Sequence, residues 1–195
     1  MHRARVSTRA RVAQESRMPA PNVYLLTGIA AAGKSTVAQR LAERLPRAAH
    51  VRGDAFRRSI VSGRADMSAA PSAQAIEQLR LRYRLLATTA DLYVANGFTA
   101  VAQDVILGPV LDDVIAMIET RPLAVVVLAP SIDAVRERER GRDKVGYHAV
   151  TPEQLDVGLR AETPRRGLWI DTTSLTVDDT VDEILRRADP EALVD

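Results

Sequence analysis

Gly28 and Gly33, followed at once by a lysine and two hydroxyl residues, are the side chains whose types and spacing point most directly to chemistry. The segment reads Gly28-Ile29-Ala30-Ala31-Ala32-Gly33-Lys34-Ser35-Thr36. The two glycines permit backbone angles that a side chain forbids, so the amides of Ala30, Ala31, Ala32 and Gly33 can turn into one concavity and cradle phosphate oxygens. A helix opening at Lys34 would add its unpaired first-turn amides and its dipole to the same anion. In that arrangement Lys34 reaches the β- and γ-phosphates, Ser35 ligates Mg²⁺ and Thr36 completes the loop. The competing reading is a glycine turn that merely enters a helix. Lysine usage weighs against it: the chain has 27 basic residues, of which only Lys34 and Lys144 are lysine. A lysine here, in a chain that otherwise uses arginine, points to a need for a compact ammonium on a flexible stem.

Two carboxylates follow short apolar runs and would stand at the carboxyl edge of a parallel sheet, where open α/β sheets place their ligands. Asp54, in His50-Val51-Arg52-Gly53-Asp54-Ala55-Phe56-Arg57, can take a proton from an attacking hydroxyl or orient that hydroxyl. It also begins a short helical pattern, so an N-cap is its structural alternative. Arg57 and Arg58 would hold an anionic acceptor or line a solvated helix face. Asp104, closing Ala100-Val101-Ala102-Gln103-Asp104, would bind Mg²⁺ through water or contact the acceptor. Asp91, Asp112 and Asp113 lie in helical patterns and read as surface residues.

The run Arg136-Glu137-Arg138-Glu139-Arg140-Gly141-Arg142-Asp143 alternates in sign. It is either an exposed helix laced with ion pairs, each worth a few tenths of a kcal/mol, or a lid whose arginines neutralise a transferring phosphoryl group. In the lid reading Arg136 and Arg140 are the preferred pair, because i and i+4 share a helix face. Gly146-Tyr147-His148 would form the far hinge, with His148 a loop residue.

These residues need a scaffold that alternates strand and helix. Apolar runs at Val23–Thr27, Ala48–Arg52, Phe98–Gln103, Leu123–Ala129 and Leu168–Ile170 are too short for buried helices. Helical patterns fall between and after them, at about 34–45, 72–95, 109–119, 131–140, 152–161 and 177–188. Pro46, Asn96-Gly97 and Pro122 supply the punctuation, and 57–72 reads as a connection. The alternation predicts an α/β domain with a parallel sheet over residues 21–190.

Composition narrows the function classes. The chain has no cysteine, which excludes disulfide frameworks, thiolate zinc sites and cysteine nucleophiles. Residues 1–17 hold five arginines against one glutamate, while the remainder carries a net charge of −2. The basic character therefore belongs to the leader, and 1–20 are read as a disordered tail rather than a transit peptide or nucleic-acid arm. A body of that charge with 4% aromatic residues gives little for a nucleic-acid groove. No apolar stretch reaches membrane-spanning length, so the expected location is the cytoplasm.

Together, the loop, the segment after the second strand and the arginine-rich segment after the fourth resemble the small P-loop kinases, a group including chloramphenicol phosphotransferase, adenylylsulfate kinase, gluconate kinase and the zeta toxins. The resemblance implies a three-layer P-loop NTPase fold, a five-stranded parallel sheet flanked by helices, and an arginine-rich lid. It also implies ATP and Mg²⁺ as cofactors, and transfer of the γ-phosphoryl group to a hydroxyl of a small molecule such as an antibiotic, a sugar or a nucleoside. Asp54 followed by Arg57 matches the acid and base three apart in those kinases. The loop after the fifth strand, at Thr172, would contact the adenine. A UDP-sugar acceptor, as for the zeta toxins, is the alternative within the kinases, and a regulatory NTPase the alternative outside them. The guanine signature Asn-Lys-x-Asp is missing, since Asp143 precedes Lys144. A small-molecule acceptor is the expected partner, and self-association into a homodimer stays open.

Overall fold

The computed structural model describes residues 21–140 and 150–195. The leader and the expected far hinge at Gly146, Tyr147 and His148, with Gly141, Arg142 and Lys144, lie outside the described residues.

Five strands form the parallel part of the sheet: β1 (Val23–Thr27), β2 (Ala48–Arg52), β3 (Thr99–Gln103), β4 (Leu123–Leu128) and β5 (Leu168–Ile170), in the order β2-β3-β1-β4-β5. β1 and β4 are buried along their whole length, as continuous apolar runs covered on both faces must be. The helices are α1 (Lys34–Arg44), α2 (Gly53–Arg58), α3 (Ala73–Ala95), α4 (Val110–Met117), α5 (Ile132–Arg140), α6 (Pro152–Val157) and α7 (Val177–Arg187). After β1 the chain crosses to the edge at β2 and then returns to β3. Right-handed crossovers in opposite directions put α1 and α3 on opposite faces of the sheet. α1 packs with α7, and α3 with α4.

Local signals account for the boundaries. α1 buries Lys34, Val37, Ala38 and Leu41, one face at helical spacing. It is tied to α7 by ion pairs from Arg40 to Asp178 (2.6 Å) and from Arg44 to Asp182 (2.8 Å). Ser72 caps α3 by accepting from the Ala75 amide, and both α6 and α7 open on a capping box, at Thr151 and Thr176.

Two features depart from the sequence expectation. Among the described residues the sheet has six strands rather than five, because β6 (Leu193–Val194) adds antiparallel to the start of β4, and the fold therefore runs past residue 190. Two residues carry no periodicity, so no sequence pattern announces them. The second is the start of α2: the short helical pattern expected from Asp54 is present, but the helix opens one residue earlier, at Gly53, directly at the end of β2. The connection from 59 to 72 is also fastened: Gln78 of α3 accepts from the Ala65 amide at 2.9 Å and donates to the Gly63 carbonyl at 2.8 Å.

Leu25, at the centre of β1, is fully buried. Leu25→Ala should lower unfolding free energy by about 3 kcal/mol in a urea titration, whereas Leu185→Ala on the exposed side of α7 should change it by about 0.5 kcal/mol or less.

Candidate active site

The carboxyl ends of the parallel strands bring the chemically interesting residues to one edge. The turn between β1 and α1 is built on two glycines for two reasons. At Gly28, with φ +145°, a Cβ would stand 2.5 Å from the Leu128 carbonyl oxygen at the end of β4. Gly33 meets no obstruction but caps α1 in the left-handed region at φ +95°, where a side chain costs about 1–2 kcal/mol. Ala31 also holds a positive φ of 57°, so the alanine run is bent into the loop. α1 has no side-chain cap and no acidic residue in its first turn, which leaves its positive end to an anionic ligand. Lys34 is buried, and its Nζ donates to the Ile29 carbonyl at 2.8 Å. The Ala32 amide donates to the same carbonyl at 3.2 Å. Ser35 is half-buried and Thr36 exposed on the same turn.

Asp54 is the second residue of α2, not its cap; the cap position is Arg52, which makes no side-chain capping bond. Arg58 Nη1 donates to Asp54 Oδ2 at 2.5 Å, and the covered Oδ1 has no hydrogen-bond partner. Arg57, expected at the acceptor, is instead ion-paired to Asp66 at 2.6 Å.

Asp104 is 5% exposed, immediately beyond β3. Its Oδ1 accepts from the Val105 amide at 2.7 Å. Its Oδ2 lies 2.8 Å from Arg82 Nε, yet neither atom makes a hydrogen bond, so the contact is an ion pair out of line with the N–H. Burial pushes the Asp104 carboxyl above the ordinary carboxylate range; Arg82, the Val105 amide and Lys34 oppose the rise, and Asp54 adds to it. Arg82 is the site residue that sequence reasoning missed. The signal was present: Leu79, Leu86 and Ala90 mark an inward stripe of α3 on which Arg82 also falls, and a cation in such a stripe calls for a buried anion.

On the other side of the loop, Arg136 is exposed and held by Glu153 (2.6 Å) and Asp133 (3.0 Å). Arg140 is exposed and paired with Glu137. The preferred face of the arginine run is thus taken up by ion pairs. Arg138, between them, is half-buried and donates to the Thr172 carbonyl at 2.6 Å, so it is the arginine brought to the strand ends. Arg160 joins it by donating to the Pro130 carbonyl at 2.8 Å. Thr172 is 3% exposed, and its hydroxyl has no partner.

Buried polar atoms without partners are rare, and each asks for a reason. Asp54 Oδ1, Asp104 Oδ2, Arg82 Nε and Thr172 Oγ1 all lie along this one edge. Among the described residues no group of three or more His, Cys, Asp or Glu could hold a metal by itself. A hard cation here would take one or two protein oxygens and complete its shell from phosphate and water, the habit of Mg²⁺. Ser35, half-buried on the first turn of α1, and Asp104, just beyond β3, are oxygen donors suited to that. No described helix is long and apolar enough to cross a membrane.

His50, on β2, contacts α1. Its Nδ1 lies 2.9 Å from Gln39 Oε1 and its Nε2 is buried without a partner. Burial first, then the charge of Arg52, lower its pKa to about 4, with Asp54 opposing.

A model of the AAA domain family matches residues 23–164. Among solved structures the chain is similar to a sugar kinase from Janibacter sp. HTCC2649, with 19% identity, 86% of this chain and 94% of that one covered, and a TM-score of 0.64. It is similar to a tunicamycin resistance protein from Deinococcus radiodurans at 19% identity, with 92% and 99% coverage and a TM-score of 0.61. A gluconokinase from Sinorhizobium meliloti 1021 also shares 19% identity, with 87% and 93% coverage and a TM-score of 0.59. At these identities the shared property is the fold. No curated protein matches the sequence.

The His50 environment makes a stability prediction. The unfolded chain holds its proton near pH 6.5 and the folded chain only near pH 4, so between these values the unfolded state binds more protons and stability falls as pH falls. The urea midpoint should decline from pH 7 to 4.5, and His50→Gln should flatten part of that decline.

Proposed function

Because the chain belongs to the AAA domain family, we propose that it is a P-loop kinase that transfers the γ-phosphoryl group of ATP, with Mg²⁺, to a hydroxyl of a small molecule. The observation that carries this reading is Asp54 Oδ1. It is a carboxylate oxygen without a donor, on the strand edge that also carries Asp104 and the glycine loop. A regulatory nucleotide switch has no use for a second carboxylate of that kind, whereas an alcohol acceptor does. A polyhydroxylated, uncharged acceptor suits the neighbourhood best, since Arg57 and Arg58 are already matched by Asp66 and Asp54. The sugar kinase among the similar folds agrees with that class.

In the reaction, the loop amides and Lys34 hold the phosphate chain, and Lys34 exchanges the Ile29 carbonyl for phosphate oxygen. Asp54 orients the acceptor hydroxyl and takes its proton as that oxygen bonds to the γ-phosphorus. The bond from phosphorus to the β–γ bridging oxygen breaks, and ADP leaves. Ser35 and Asp104 would hold Mg²⁺, which neutralises charge on the phosphates when bound. Arg138 closes the opposite side, and Thr172 Oγ1 offers a buried hydroxyl to the base. Arg136 and Arg140 would join only by leaving their carboxylates. Catalysis of this kind is mainly positioning and charge neutralisation.

The test is γ-phosphate transfer from ATP across a panel of sugars, nucleosides, aminoglycoside and other antibiotics, and UDP-sugars. Lys34→Ala should weaken ATP binding at least tenfold and remove transfer. Asp54→Asn should lower kcat by roughly 10²–10⁴-fold while ATP affinity, measured by calorimetry, stays within about twofold. Wild-type turnover by Asp54→Asn across pH would remove the base from this reading, and unchanged nucleotide affinity in Lys34→Ala would remove the loop. ATP hydrolysis with no acceptor phosphorylated would favour a regulatory NTPase.

A further inference from the structure

Arg82 lies on α3, away from every motif that points to phosphate chemistry, and its side chain is only 15% exposed. A buried ion pair repays the desolvation of two charges only with good geometry and further hydrogen bonds. This pair has neither in full: Arg82 Nε and Asp104 Oδ2 approach to 2.8 Å without a hydrogen bond. Yet the surrounding chain is built to keep them there. Gly53 is the residue against which Oδ2 rests, and a Cβ at that position would stand 2.0 Å from it. Tyr83, the next residue on α3, donates its hydroxyl to the Val105 carbonyl at 2.8 Å, and the Val105 amide holds Asp104 Oδ1. Neighbouring residues of one helix therefore control both oxygens of Asp104, one by charge and one through the loop.

The electrostatics give this a purpose. Lys34 and Asp54 both act on the charge of Asp104. Besides Arg82, the cation that acts on a buried Asp104 anion is the Lys34 ammonium, which the phosphate chain needs. With Arg82 in place, each carboxylate has its own arginine: Asp104 has Arg82 and Asp54 has Arg58.

We propose that Arg82 is a positioning residue of the phosphoryl transfer: it holds Asp104 Oδ2 against Gly53, so that the carboxylate serves the metal side of the nucleotide and leaves Lys34 to the phosphates. This rests on the kinase reading for its activity arm. Its binding arm needs only ATP and Mg²⁺.

The experiment compares Arg82→Ala, Arg82→Lys, Asp104→Asn and the double variant Arg82→Ala with Asp104→Asn, in the full chain, after thermal melting has shown which are folded at the assay temperature. Calorimetry measures ATP affinity with Mg²⁺ and with EDTA. The wild type should bind ATP more tightly with Mg²⁺, and Arg82→Ala should lose at least threefold of that enhancement, with Arg82→Lys recovering part of it. On a phosphorylated acceptor, Arg82→Ala should lower kcat at least tenfold with acceptor KM changed by less than about threefold. The double variant should be no slower than Asp104→Asn alone, because Arg82 acts through that carboxylate. Multiplying losses in the double variant, or an Arg82→Ala enzyme with wild-type Mg²⁺ enhancement, would overturn the proposal. Should Arg82→Ala not fold, Arg82→Lys and the double variant, which lacks the uncompensated anion, carry the same comparison. If no acceptor is phosphorylated, the kinase reading fails while the Mg²⁺ enhancement still decides the role of Arg82.

Discussion

A carboxylate buried at the end of β3 has to be matched in charge and given room, and much of this fold's working edge is what meets those two demands. Asp104 stands where a strand buried from its second residue to its last stops. α3 brings Arg82 to one of its oxygens, the Val105 amide holds the other, and the lack of a side chain at Gly53 leaves the space. That same glycine opens α2, so the helix that presents Asp54 begins where Asp104 needs clearance. The two carboxylates are therefore set by one packing problem.

The loop after β1 is constrained from the opposite direction. Its first glycine is pressed against the end of β4, and its second supplies the left-handed turn into α1. The loop's shape thus depends on β1 and β4 being adjacent, which the strand order secures. Lys34, folded back onto the Ile29 carbonyl, adds a bond across the loop. Arg138 and Arg160 close the other end by bonding to carbonyls just beyond β5 and β4.

The fold class was legible because buried parallel strands read as short apolar runs and their helices as longer periodic ones. The loop was legible because its glycines and lysine answer to backbone angles and to charge, both local demands. Asp54 and Asp104 could be placed at strand ends by position alone. The arginine run was misleading in detail: helical spacing pairs Arg136 with Arg140, but Glu153 and Asp133, from α6 and from the run's own helix, hold Arg136 outward, and Arg138 reaches Thr172. Spacing along one helix cannot say which face a distant carboxylate will claim.

The residue types and order by themselves determined an α/β sheet, a glycine loop that enters a helix and two carboxylates at the sheet's carboxyl edge, since each follows from backbone sterics, periodicity or position within a few residues. Tertiary structure alone decided that Arg82 is the counter-ion of Asp104, that Gly53 is required for clearance, and that a sixth strand completes the sheet. Those depend on contacts between segments far apart in the chain, where burial makes a charge or a missing Cβ matter.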